Sequence, residues 1–453
     1  MPDAASDALV LPPPVQPSGR KSILINRDFA LLWIGQIVSS IGDFALSATL
    51  VLWIATRLAV NEPWAPLAVS GEFLALTIPV VLFGPLAGVF VDRWDKRRTM
   101  LAMDLARALL VGLLALLATP LRNDLPRAWI LAGVYSVVAL SSICSQLFNP
   151  SRLALIGDLV PPAQQARASS LMFMTVSLGV TIGPALAAPL YVAFGPMIAL
   201  AFDALSFLVS FAALWALRAP KGARSETTAG GVLGELANGL RYFFRHRGLR
   251  TLLIVTALTL AGSSAINTLG IFFLTANLQS SAAYFGLLSA ATGIGVLIGS
   301  VCAVWIVPRL GPVRSFWISV LVVGGLIAIY ARQTDFISAV ALLLLLGLPS
   351  AALNVAIGPL ILAYTPRAMV GRAAAIFTPA TSLAAALSAA LAGYLASTLL
   401  GGFHLSLGGV EFGPYDTVYL LSGVLIMASG IYAMGRMPVA HPDRAPRDGL
   451  EPS

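Results

Sequence analysis

Five ionisable residues stand inside long apolar runs of this 453-residue chain: Asp43, Glu72, Asp104, Arg107 and Asp203. Charge is costly in hydrocarbon, so residues of this kind pair with one another, line watery paths or carry protons. Asp43, near the middle of the first run, is the leading candidate for a proton carrier; the competing reading is a structural acid, capped or paired with an arginine. Glu72 lies one turn inside the end of the second run, with Arg57 as a candidate partner, and Asp203 lies about two turns inside the sixth. These two complete the proton-coupling candidates. Asp104 and Arg107, three apart, share a helix face and form a charge network with each other or with the basic turn before them. The second half of the chain has only hydroxyls and amides in its apolar runs, such as Ser263, Ser264 and Thr381. Gln36, Asn267, Asn354 and Thr378 are the candidates for lining a substrate cavity that tolerates varied apolar ligands.

A second feature is the abrupt end of an apolar run, where Gly84-Pro85-Leu86-Ala87-Gly88-Val89-Phe90-Val91 gives way to Asp92-Arg93-Trp94-Asp95-Lys96-Arg97-Arg98. Apolar stretches on both sides are long enough to cross a bilayer, so this is a tight, charged turn between membrane helices. Gly84 and Gly88, four apart, permit close helix approach. Asp92 can face the positive N-terminal end of a neighbouring helix.

Other chemistry is absent from the pattern. His246, His404 and His441 lie in loops, and Cys144 and Cys302 sit in apolar runs as small hydrophobes, so no metal site, disulfide or cofactor is expected. No phosphate-cradling lysine motif occurs, so ATP does not drive transport from this chain, and with no nucleophile–base constellation at a plausible depth a membrane enzyme is the weakest reading.

The elements that must position these residues follow from composition. The chain is 58% hydrophobic and 11% charged with mean hydropathy +0.87, against about 25% charged for a soluble domain. Runs of membrane-spanning length without period-2 alternation read as helices. Twelve spans are expected: 29–56, 67–91, 99–118, 128–148, 168–194, 197–217, 251–276, 282–307, 315–331, 337–363, 373–399 and 415–435. With both termini cytoplasmic, the inner segments hold 23 of the 28 Lys and Arg, while Arg57, Arg122, Arg127 and Arg332 fall outside. This distribution accounts for the net charge of +8 without nucleic acid.

Residues 1–27 and 437–453 read as cytoplasmic tails, the first disordered and not a signal peptide. The longest inner connection, 218–250, separates a 28–217 half from a 251–436 half. Within it Leu233, Leu236, Leu240, Phe243 and Phe244 follow helical spacing, as in an amphipathic helix on the inner leaflet. The halves repeat: Asn149–Ala168 aligned with Asn354–Ala373 gives seven identities in twenty positions, and Gly84/Gly88 recur as Gly295/Gly299. Parallel repeats of six helices imply alternating access around a midplane cavity.

The turn after Gly84 resembles the signature of the major facilitator superfamily, matched by Gly84, Leu86, Ala87, Gly88, Asp92, Arg93, Arg97 and Arg98, with Asp95 where a glycine is usual. The resemblance implies that this turn is a gating latch on the cytoplasmic side. Residues 20–435 are similar to the drug:proton antiporter branch that includes macrolide and siderophore exporters, through Asn26-Arg27-Asp28-Phe29, Leu32-Trp33, Gly35-Gln36, Gly42-Asp43, Phe202-Asp203-Ala204-Leu205-Ser206-Phe207 and Tyr284-Phe285-Gly286-Leu287. Gly179, Gly183 and Pro184 match the core of the exporter motif of helix 5. The arginine expected early in helix 4 is missing, and span 128–148 carries no charge beyond its start.

The expectation is an all-α membrane protein, twelve transmembrane helices in two six-helix halves. It would work as a monomer in the cytoplasmic membrane, exporting small hydrophobic or amphiphilic compounds by proton antiport. An exporter dedicated to one siderophore or secondary metabolite, a proton-independent facilitator, and a non-transporting receptor or scaffold remain as alternatives. The well-kept turn argues against the last.

Overall fold

The computed structural model describes residues 25–91, 94–119, 125–218, 243, 245–365, 370–403, 405–407 and 410–437. Asp92, Arg93, most of both tails and the expected amphipathic segment, apart from Phe243 and Arg245, lie outside them. The chain runs through α1 (Arg27–Trp53, prolonged by a wide turn, Ile54–Leu58), α2 (Ala65–Val91), α3 (Lys96–Leu117) and α4 (Arg127–Leu159), then a helical stretch, Gln165–Ala216. That stretch has 52 residues, so as one straight helix it would be about 78 Å long, more than twice the hydrocarbon thickness. It reverses at Gly195, whose φ of 80° and ψ of 179° suit only glycine, and Pro196 starts the next helix. It is therefore two helices, α5 (165–194) and α6 (196–216).

Packing proves the reversal. Along α1, Ser40 and then Ala45 face Gly179 and then Gly183, so α5 runs parallel to α1. Gly35 and then Gly42 face Ser210 and then Asp203, so α6 runs back. Further along come α7 (Arg247–Ala276), α8 (Phe285–Leu310), α9 (Pro312–Tyr330), α10 (Phe336–Tyr364), α11 (Val370–Tyr394, prolonged by Leu395–Leu399) and α12 (Pro414–Arg436). Eleven helices among the described residues are long and apolar enough to span a membrane, and the one containing Gly195 crosses twice, giving twelve passes.

An unexpected antiparallel hairpin, β1 (Leu405–Leu407) and β2 (Val410–Phe412), precedes α12. Arg332 stacks on Phe412 at 4.6 Å and donates to Asp416 at 2.8 Å, while Asp416 accepts from the Gly413 N–H, so the hairpin is tied to the start of α12.

Each pairing in the first half recurs six helices later: α1 on α5 and α6 as α7 on α11 and α12, α2 on α4 as α8 on α10, α3 on α4 and α6 as α9 on α10 and α12. Gly84 faces Gln146 of α4, and Gly295 and Gly299 pack on Leu344, Gly347 and Leu348 of α10. In this structure Gly84, Gly295 and Gly299 therefore serve packing within their own halves. The halves meet where Gly393 of α11 lies against Pro66 and Ser70, where the Leu67 N–H donates to Ser397 Oγ at 3.2 Å, and where Gly286 and Gly293 of α8 lie against Pro184 and Thr181. These contacts run from mid-bundle toward the end remote from the chain termini, called the distal end below.

Two local features correct the sequence reading. α4 continues to Leu159, past the expected end at 148, running through Pro150. Proline removes one backbone donor, which membrane helices tolerate; beside it the Ser151 hydroxyl donates to Leu147 O at 2.8 Å. Asp95, unexplained by the resemblance, is the N-cap of α3, accepting from the Arg98 N–H at 2.8 Å.

The close α5–α8 contact yields a prediction. A methyl group at Gly286 would strike the Pro184 carbonyl, so Gly286→Ala should cost about 1–3 kcal/mol by forcing the helices apart. The Gly112 position has open space around it, and Gly112→Ala should be neutral or slightly stabilising. Unfolding midpoints of the two variants in detergent check this.

Candidate functional site

The first-half charges converge where α1, α3, α4 and α6 meet. Gly35 and Gly42, two turns apart on α1, bring α6 close enough for Ser210, Asp203 and Ser206 to reach that helix. Arg107 of α3 donates through Nη2 to Asp43 Oδ1 at 2.5 Å, and its guanidinium lies 4.0 Å from the centre of the Phe207 ring. Its side chain is 7% exposed against 42% for Asp43, so Asp43 is the open edge of the cluster. Arg107 was expected to pair with Asp104 or the basic turn; instead it reaches across to α1. The Asp104 carboxyl group is fully buried beside the Ser210 hydroxyl, within electrostatic reach of Arg107, Asp43 and Arg152. Asp203, also fully buried, accepts from Ser206 at 3.1 Å with its second oxygen unpartnered, and it too feels Arg107 and Asp43.

Arg152 is the residue that sequence reasoning misplaced. Assigned to a loop, it lies on the last turns of α4 and donates through Nη1 to Gln36 Oε1 at 2.8 Å. So helix 4 does carry a charge. The signal was available: Phe148 and Leu155, seven apart and both buried, continue the helical pattern through Pro150. Gln36, expected to line the cavity, is 4% exposed and occupied at both ends, its Nε2 donating to Ser210 Oγ at 3.2 Å. It braces α1 against α4 and α6. The other cavity candidates, Asn267, Asn354 and Thr378, are exposed on α7, α10 and α11.

Glu72 stands apart from the cluster. It is 3% exposed and accepts from the Ser47 hydroxyl at 2.7 Å, while Arg57 lies 5.8 Å from the Tyr191 ring centre instead of beside it. Gly179 and Gly183 seat α5 on Ser40, Ile41 and Phe44 of α1, and Pro184 meets α8. Of the turn residues, Arg97 binds carbonyls at the end of α6, Leu214 O at 2.9 Å and Trp215 O at 2.5 Å, and Lys96 pairs with Asp158 of α4 at 2.7 Å. Gly84 and Gly88 lie in the last turns of α2. Among the described residues no group of acids, histidines or cysteines could hold a metal ion.

Comparison with known proteins places this arrangement. A major facilitator family model, described as transmembrane secretion effector, matches residues 20–424. Macrolide efflux protein A of Streptococcus pyogenes is 27% identical over 242 residues, 53% of this chain and 57% of that protein, so the match spans little more than half of that relative. The MFS-type transporter YkuC of Bacillus subtilis is 21% identical over 426 residues, 92% of this chain and 94% of its own. The crystal structure of the nucleoside transporter NupG is similar in fold, with TM-score 0.71 at 13% identity over 91% of this chain and 99% of that one.

The cluster's balance can be tested. Arg107→Ala leaves Asp43, Asp104 and Asp203 facing Arg152 alone, and should cost about 3–5 kcal/mol. Asp43→Asn placed in the same variant should recover part of the loss, read as unfolding of the purified protein in detergent.

Proposed function

The chain belongs to the transmembrane secretion effector family of the major facilitator superfamily, a multi-pass membrane transporter and not an enzyme, and we propose that it exports small hydrophobic or amphiphilic compounds across the cytoplasmic membrane in exchange for protons. The observation that carries the proposal is the charge cluster. Three carboxyl groups, Asp43, Asp104 and Asp203, face two guanidinium groups, Arg107 and Arg152, in a mostly buried site. With every group ionised, one negative charge is left over in a place that tolerates none. One proton restores the balance.

The proton reaches the cluster through Asp43, its exposed member, which also holds Arg107. Once neutral, Asp43 loses its hold on Arg107, which can turn to Asp203 on α6. The α1–α3 tie then loosens while the α3–α6 tie strengthens, so proton occupancy selects between two packings of the first half. Alternating access follows if one packing favours closure at the distal end and the other closure at the terminal end. The Lys and Arg asymmetry supports placing both termini, and the 218–250 connection between the halves, in the cytoplasm.

Exposed Asn267, Asn354 and Thr378 lie on transmembrane helices, where amides and hydroxyls avoid lipid, which supports a central cavity with few charges and varied apolar surface. The macrolide efflux relative supports large lipophilic cargo. In the gate, Arg97 and Gly84 are engaged within their own half, so latching to the other half falls to Gly88, Asp92, Arg93 and Arg98.

The test is Asp43→Asn in inverted membrane vesicles energised by a proton gradient, with a macrolide and lipophilic dyes as probes. Gradient-driven transport should fall to the leak level, while exchange of probe without a gradient persists. Undiminished gradient-driven transport removes Asp43 from the mechanism. Wild-type transport that survives collapse of the gradient favours the facilitator reading.

A further inference from the structure

We propose that Glu72, held by Ser47, is a second proton station, placed in series with Asp43 on the distal side of the first half. The inference rests on the proton-exchange reading above and adds the route by which the proton reaches it. Three observations converge. First, Ser47 follows Asp43 by one helical turn on α1, and residues four apart share a face at about 5–6 Å between their Cβ atoms. Second, the Ser47 hydroxyl donates to Glu72 Oε1 at 2.7 Å, which joins α1 to α2 through the acid. Third, Glu72 is 3% exposed, its Oε2 has no partner, and no Lys or Arg among the described residues forms an ion pair with it.

The surroundings leave few other roles. On α4 the titratable group facing Glu72 is Tyr135, and its hydroxyl is already committed to Ala68 O at 2.7 Å. α11 meets this part of α2 through Gly393 and Ser397, and both α7 and α11 carry their arginines at the opposite end. A structural acid in hydrocarbon is held by a cation; this one is held by a hydroxyl, which can both give and accept a proton. Glu72 also lies about two turns from the distal start of α2, so it stands between distal water and Asp43.

The transfer balances simply. A proton from the distal side neutralises the Glu72 carboxylate. It then leaves through Ser47 Oγ, which accepts one proton as it releases its own to water bridging the turn. That water protonates Asp43, which lets go of Arg107. Glu72 is again a carboxylate, and no other bond is made or broken.

The experiment uses the full chain in inverted vesicles with a macrolide probe and compares gradient-driven transport, its pH profile and gradient-free exchange. Gln can accept the Ser47 hydrogen bond as Glu does, so Glu72→Gln should keep gradient-free exchange within about twofold and lose most gradient-driven transport. Ser47→Ala should slow gradient-driven transport and shift its pH profile, and Ser47→Thr, which restores the hydroxyl, should bring both back. A gradient-coupled wild type with an unchanged Glu72→Gln variant overturns the station alone. So does a Glu72→Gln variant that loses both modes equally, because that is the mark of a packing or substrate-contact role. A wild type indifferent to the gradient overturns the proton-exchange reading, and the station with it.

Discussion

A guanidinium group in the hydrocarbon core must be surrounded by acids, and the first half of this protein is organised around meeting that demand for Arg107. Its partner on α1, its neighbours on α3 and α6, and the Phe207 ring beneath it bring three helices to one point. Arg152 adds α4 through Gln36. Replacing the whole set of charges by well-packed apolar residues would give a core about as stable, since buried ion pairs contribute little net stability. What the charges add is a choice of partners. Three carboxyl groups share two guanidinium groups.

The second half has a different character. Its described spans carry no acid at mid-depth, and its helices are fastened by shape. Gly295, Gly299 and Gly347 let α8 and α10 touch backbone to backbone, and Gly324 and Gly423 do the same for α9 and α12. Phe273, Tyr330 and Tyr419 form a buried aromatic cluster with ring centres 5.0–5.7 Å apart. The Arg332–Asp416 pair lies at the distal rim beside the hairpin.

The charged turn between α2 and α3 does more than one job. Asp95 caps α3, Lys96 ties α3 to α4, and Arg97 satisfies two carbonyls at the end of α6. Together with the apolar cluster of Phe29, Leu32, Met100, Phe148, Leu155 and Leu214, these contacts make a firm base for the terminal end of the first half.

Much of this was legible in the chain. Span number, the six-helix repeat and the intramembrane acids could all be read because they follow from hydropathy and from the cost of charge in lipid, both properties of short segments. Asp43 as an arginine-paired acid was one of two readings, and residue types alone could not choose between them. Partner selection was decided by tertiary structure. Asp104 is Arg107's neighbour on the same helix, yet Asp43 holds the hydrogen bond, since glycines at 35, 42, 179 and 183 set how closely α5 and α6 seat on α1. Gln36 became a brace for the same reason. Arg152 joined the cluster because α4 continues through Pro150 to Leu159, and the hairpin before α12 depends on an arginine from another loop. The sequence by itself determined which groups must be compensated in the membrane; only the packed helices decided which partner compensates each, because that depends on distances between segments far apart in the chain.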